Sequence, residues 1–163
     1  MGENSVFSTE INECYVQGRM KEYFGRYTNV LDAKGRINLP AKFREPDSRD
    51  QLFVLARGSE KCIVMFPVGE WRRKNEELDT LVPDGEKRRI LRRQLNYYAS
   101  QQKLDKQGRI NIPAELIKYA ELDKDVEVIG AGKKIEIWNP KFVQGDLKQS
   151  EPEFQKLKNL LDF

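Results

Sequence analysis

Histidine is missing from the whole 163-residue chain. That absence removes every catalytic triad, general base and metal site that depends on an imidazole. Cysteine is nearly absent too. Cys14 and Cys62 stand far apart and form no CxxC pair, so they suggest neither a zinc site nor a disulfide framework. No apolar run approaches the roughly 20 residues of a membrane span. The acidic, polar N-terminus lacks the pattern of a signal peptide. The expectation is a soluble, reduced, cytoplasmic protein. Only 39% of the residues are hydrophobic, but eight Phe, six Tyr and two Trp can anchor a modest core. The length suits one domain, or two half-sized units that share a core.

Charge is plentiful and unevenly placed. Lys and Arg number 29 against 26 Asp and Glu, a net charge of +3. Residues 1–18 carry three acids and no base. Residues 19–44 carry seven bases (Arg19, Lys21, Arg26, Lys34, Arg36, Lys42 and Arg44) against two acids. Residues 84–109 carry eight (Lys87, Arg88, Arg89, Arg92, Arg93, Lys103, Lys106 and Arg109) against three acids. One charge run is ordinarily a solvated face. Two basic blocks in a nearly neutral chain point to a surface that meets a polyanion.

The blocks coincide with an internal repeat. Residues 31–43 read LDAKGRINLPAKF and residues 104–116 read LDKQGRINIPAEL, an offset of 73 with eight of thirteen positions identical. The same offset aligns FVLARGSEKCIVMFP at 53–67 with VEVIGAGKKIEIWNP at 126–140. The chain is a tandem duplication. In each copy a tight turn leads into Arg-Ile-Asn-Leu/Ile, whose period of two reads as a half-buried strand with its Arg and Asn outward. Gly35 and Gly108 supply the positive φ of the turn. Asp32 and Asp105 stand where a carboxylate can accept backbone N–H bonds. Pro40 and Pro113 open short helices expected over 41–45 and 114–121. A β-hairpin follows each helix, with strands over 52–56 and 61–66, then over 125–129 and 134–138. The second hairpin is expected to turn at Gly130-Ala131-Gly132-Lys133. A unit this small cannot bury a core alone, so the copies should fold together into one pseudo-symmetric barrel.

Residues 84–98 read as a helix with Asp84 as N-cap, an apolar stripe of Leu91, Leu95 and Tyr98, and Arg89 and Arg93 opposite. Residues 70–79 form a second amphipathic segment, and Phe154, Leu157, Leu160 and Leu161 recur at helical spacing. Residues 1–22 show no period and suit a disordered arm. The resulting layout is an N-terminal extension over 1–22, a first repeat over 23–80 and a linking helix over 81–98. A second repeat over 99–145 and a helical tail over 146–163 complete it.

Asp-x-x-x-Arg occurs twice, as Asp32/Arg36 and Asp105/Arg109. The aspartates suit a structural role, pairing the arginine or capping the turn, because a carboxylate facing phosphate would repel it. The arginines leave the turn at solvent-facing strand positions, with Lys34, Lys106 or Gln107 at the tip. A guanidinium fork binds phosphate or reads guanine O6 and N7, and a two-stranded ribbon fits the major groove. Arg36, Arg109, Lys34, Lys106, Asn38 and Asn111 are therefore the candidate DNA-binding residues, and Asp32, Gly35, Asp105 and Gly108 the turn formers.

These residues carry a resemblance to the MraZ family of transcriptional regulators, associated with the bacterial division and cell-wall gene cluster. It covers about residues 20–142, through YFGRYTNVLDAKGRINLPAKFRE, the central basic helix, KLDKQGRINIP and GAGKKIEIW, and leaves residues 1–19 outside. The resemblance implies an α+β, mainly β, swapped-hairpin barrel of the AbrB type with both halves in one chain. It also implies a ring-shaped homo-oligomer that binds direct repeats in promoter DNA through the Asp-x-x-x-Arg loops and represses its own promoter at the nucleoid. An enzyme would need parts that are absent from the pattern. Gly130-Ala131-Gly132 opens a GxG, but Ile135 stands where the third glycine belongs and no GK[ST] follows. No cofactor, metal, membrane or small-molecule substrate is expected. The alternative reading is a ring-forming scaffold or antitoxin-like module with weak DNA affinity.

Overall fold

The computed structural model describes residues 21–45 and 51–162. The expected disordered arm falls almost wholly outside the described residues, as does Cys14. The described residues form eight strands: β1 (Tyr23–Val30), β2 (Arg36–Asn38), β3 (Leu52–Arg57), β4 (Cys62–Pro67), β5 (Ser100–Lys103), β6 (Arg109–Asn111), β7 (Asp125–Gly132) and β8 (Lys134–Trp138). The helices are α1 (Val68–Leu81), α2 (Gly85–Tyr97), α3 (Ala114–Tyr119) and α4 (Pro140–Lys158). The architecture is mainly antiparallel sheet with short helices, built from a tandem duplication.

The pairing shows how the copies interlock. Six strands form one sheet in the order β1-β7-β8-β4-β3-β5, and β2 pairs with β6 in a separate ribbon. At the repeat offset β1 to β4 correspond to β5 to β8, and exchanging the copies turns the sheet order into its own reverse. The first strand of each copy therefore pairs with the third strand of the other. A pseudo-two-fold axis passes between β4 and β8, and again through the ribbon, where Ile37 faces Ile110. Neither copy has a complete sheet alone.

Alternation along the strands sorts side chains into two layers. Inward residues Phe53, Leu55, Ile63, Met65, Val126, Val128, Ile135 and Ile137 meet Ile37, Leu39, Ile110 and Ile112 from the ribbon in one core. Outward residues Ala56, Cys62, Val64, Phe66 and Trp138 form a second cluster with Val143 of α4, covered in part by Trp71 of α1. Central strands buried on both faces explain the near-continuous apolar runs of β3 and β4. Burial also pushes the Cys62 thiol up to about 12, so it stays protonated at neutral pH.

Several elements depart from the pattern expected of the sequence. The helix expected over 41–45 is a single 3-10 turn, Ala41–Phe43, after which Arg44 is extended with ψ 150°. Pro46 follows Glu45 and disfavours further helix there. The helix expected over 114–121 ends at Tyr119, and Glu121 takes a left-handed φ of 49°. The second hairpin turns later than expected because β7 runs on to Gly132, paired along its length with β1. Close approach there requires glycine, since a Cβ on Gly130 would lie 2.2 Å from the Phe24 backbone nitrogen.

The linking helix forms with its expected cap: Asp84 accepts from the N–H groups of Glu86 and Lys87. Its apolar stripe does not enter the core. No residue of α2 is buried, and Leu91 and Leu95 each remain 38% exposed. Polar groups hold it to α1 instead, where Arg92 donates to the Asp79 carboxylate at 2.9 Å and Asn96 donates to Asn75 Oδ1 at 2.8 Å. Tyr98 leaves the stripe to lie under the Arg57 guanidinium, 3.3 Å from its ring centre. Phe154 and Leu157 lie in α4, which starts at Pro140, and Leu160 and Leu161 lie in the 3-10 turn Asn159–Leu161 after it, so the division expected at 145/146 falls inside one helix.

Candidate nucleic-acid interface

The two Asp-x-x-x-Arg segments fold into the same turn. Asp32 N–H donates to the Arg36 carbonyl at 2.9 Å, and Gly35 N–H donates back to the Asp32 carbonyl at 3.0 Å. Asp105, Arg109 and Gly108 repeat both bonds at 2.9 and 3.0 Å. Gly35 and Gly108 have φ of 77° and 76°, a region in which a side chain costs strain.

Within each turn the aspartate organises both backbone and arginine. Asp32 Oδ1 accepts from the N–H groups of Lys34 and Arg36, each at 2.9 Å. Its Oδ2 lies 2.8 Å from both Nε and Nη2 of Arg36. Asp105 Oδ1 accepts from Gln107 and Arg109 N–H at 2.9 Å, and its Oδ2 accepts from Arg109 Nε at 2.7 Å. The Arg36 side chain, then its backbone N–H, hold the Asp32 carboxyl below its ordinary range. At Asp105 partial burial pushes upward, but the bonds from Arg109 and Gln107 together outweigh it and the net shift is down.

The ribbon joins the two turns into one surface. Leu39 N–H donates to the Gly108 carbonyl at 2.9 Å, and Ile112 N–H donates to the Gly35 carbonyl at 2.8 Å. Each turn is thereby fastened to a strand of the other copy. Arg36 stands opposite Asn111 and Asn38 opposite Arg109, so all four lie on the face away from buried Ile37 and Ile110. Asn38, Asn111, Lys34 and Lys106 are exposed, while Arg36 and Arg109 keep about a quarter to a third of their side chains in contact with solvent. Six candidate residues from two distant segments thus converge on one short ribbon and its turns.

The arrangement presents cationic forks whose rotamers are already restrained by carboxylates, which lowers the entropy lost on binding an anion. Among the described residues no group of three or more acidic or cysteine side chains could hold a metal ion, and no helix is long and apolar enough to cross a membrane.

One residue near the site was not singled out from the sequence beyond its membership of a basic block. The guanidinium of Arg44 lies against the Gly108 turn, so close that a Cβ on Gly108 would stand 2.6 Å from Arg44 Cζ. The repeat offset aligns Arg44 with Ile117, and this break in the duplication is the signal that could have marked it.

A family model described as "MraZ protein, putative antitoxin-like" matches residues 23–93 and 97–163. A curated relative from Pediococcus pentosaceus, named "Transcriptional regulator MraZ", is 37% identical over 142 residues, covering 86% of this chain and 98% of that protein.

Proposed function

The chain belongs to the MraZ family, and from that premise we propose that it regulates transcription by binding promoter DNA through the β2–β6 ribbon and its two turns. The observation that carries the reading is the convergence of Arg36 and Arg109 on one exposed antiparallel ribbon, each aimed by its own aspartate. A ribbon of this kind enters the major groove, where arginine reads guanine through O6 and N7. Arg36 and Arg109 contact bases, with Asn38 and Asn111 beside them. Lys34 and Lys106 meet the phosphates. Asp32, Gly35, Asp105 and Gly108 hold the turns in shape.

The finer reading is a sequence-specific repressor of its own promoter in the division and cell-wall gene cluster, acting on direct repeats at the nucleoid of the cytoplasm. Self-assembly into a ring belongs to this reading. Ile90, Leu91, Leu95 and Tyr97 of α2, with Leu147, Phe154 and Leu157 of α4, remain exposed, and contact between copies would cover them.

The test is an electrophoretic titration against DNA upstream of its own gene and against random duplex. The promoter should be preferred by at least about 10³-fold, and the combined Arg36→Ala and Arg109→Ala variant should lose that preference. Equal binding to both duplexes would favour the scaffold reading.

A further inference from the structure

The pseudo-two-fold axis makes the two turns equivalent in backbone, yet their surroundings differ. A Cβ on Gly108 would meet Arg44 Nη1 at 2.2 Å, Cζ at 2.6 Å and Cδ at 3.0 Å. On Gly35 it would meet the Ile112 carbonyl at 3.2 Å and Ile117 Cδ1 at 3.3 Å. Positions 44 and 117 are one repeat apart, so a guanidinium flanks the second turn where a methyl flanks the first. Glycine at 108 leaves room for that guanidinium against the turn.

The arginines are also held differently. Arg36 places both Nε and Nη2 on the Asp32 carboxylate. Arg109 places Nε on Asp105 and turns Nη2 toward Gln107 Oε1 at 3.3 Å. Gln107 occupies the turn position that Lys34 holds in the first copy, and Lys106 the position of Ala33.

Arg44 brings a further positive charge to the second turn. Its Nε is buried and without a hydrogen-bond partner, and among the described residues no carboxylate pairs with its guanidinium. The second turn therefore gathers Arg44, Lys106 and Arg109 around one carboxylate, Asp105. The first gathers Lys34 and Arg36 around Asp32. Among the described residues of the two turns, the excess of positive charge lies at one end of the ribbon.

We propose that Arg44 is a further DNA-binding residue, serving the second turn alone: it supplies a contact to a backbone phosphate that the first turn lacks. The ribbon then has a polarity on the duplex, because its ends bind the DNA backbone unequally. This inference rests on the ribbon being the DNA-binding surface. It adds a residue and a direction to that reading.

The experiment measures promoter binding as a function of salt for wild type, Arg44→Ile, Arg44→Lys and the combined Arg36→Ala, Arg109→Ala variant, with melting temperature and oligomer size as controls. Arg44→Ile installs in the first copy what the second copy carries. It should weaken binding by about tenfold or more and flatten the salt slope by about one unit, whereas Arg44→Lys keeps the slope. A single neutral methylphosphonate at the contacted phosphate should cost the wild type a similar factor and cost Arg44→Ile nothing further. The proposal is overturned if Arg44→Ile matches the wild type in affinity and slope while the double arginine variant fails to bind. It is equally overturned if Arg44→Ile and Arg44→Lys weaken binding alike with the slope unchanged, since that marks a role in turn shape only. Undiminished binding by the double arginine variant would instead defeat the ribbon reading, and this inference with it.

Discussion

Each loop aspartate has one oxygen committed to two backbone N–H groups and the other to a guanidinium. All of these bonds favour the ionised carboxylate, so folding lowers the pKa of both aspartates. A group whose folded value lies below its unfolded value of about 3.9 contributes stability above that pH and loses it as the pH falls through the folded value. The melting temperature should therefore fall on acidification below about pH 4. Asp32→Asn with Asp105→Asn should be less stable at neutral pH and change less across the acidic window, with operator affinity falling only after turn order is lost. Identical acid profiles for the two proteins, followed by fluorimetry, would deny the aspartates this role. The glycines give a second test. Alanine at Gly35 or Gly108 meets a left-handed φ, worth roughly 1–2 kcal/mol, and at Gly108 it must also displace Arg44. Gly108→Ala should thus destabilise more than Gly35→Ala in urea unfolding, and Arg44→Ala should bring the two costs together. The turns were legible in the sequence because the hydrogen bonds within each, from the aspartate to its glycine, arginine and tip residue, span at most four residues. The Arg44 contact was not, because it joins the two copies and depends on a fold that no local pattern reveals.

At the level of elements, period and punctuation located the helices and every described strand but β1 and β5, for which the sequence reading set no bounds. Their ends and faces followed tertiary contacts instead. β7 outruns its expected end because β1 of the other copy pairs with all of it, from Tyr23 opposite Gly132 to Val30 opposite Asp125. Gly130 makes that pairing possible, since a Cβ there would fall 2.2 Å from Phe24 N and 2.4 Å from Tyr23 C, both backbone atoms with nowhere to move. Gly130→Ala should accordingly part β1 from the sheet and cost about 3 kcal/mol, at the upper end for overpacking. Amide exchange would report it as lost protection along β1 and β7 with β3 and β4 spared; uniform protection would show that the sheet absorbs the methyl. The amphipathic pattern of α2 was equally plain, but a stripe does not name its partner. Arg88, Arg92 and Asn96 face α1 through hydrogen bonds and ion pairs, which turns Ile90 and Tyr97 outward and leaves Leu91 and Leu95 only partly covered.

On the proposed ring, the exposed apolar faces of α2 and α4 would meet other copies, and the ring would set the form of the operator. One chain has only two short turns to offer a duplex, while specific DNA complexes reach about 10⁻⁸–10⁻¹¹ M by summing modules. Linking many such ribbons makes later contacts intramolecular and adds roughly 10²–10⁴ in avidity. A head-to-tail interface that closes into a ring repeats each ribbon in one orientation, which calls for direct rather than inverted repeats. For several ribbons to bind one face of B-DNA, the repeats must lie about one helical turn, 10–10.5 bp, apart. Two perturbations separate this model from independent binding by single chains. Leu91→Glu with Leu95→Glu places charge on the exposed stripe of α2 and should break the assembly into smaller species in sedimentation. The folded core should survive, because neither residue is buried. On the DNA side, about five base pairs inserted between two repeats turn them to opposite faces and should lower affinity sharply, whereas about ten should restore part of it. Equal affinity at all spacings, together with unchanged sedimentation of the Leu91/Leu95 variant, would leave the single chain as the binding unit and the apolar faces without this role.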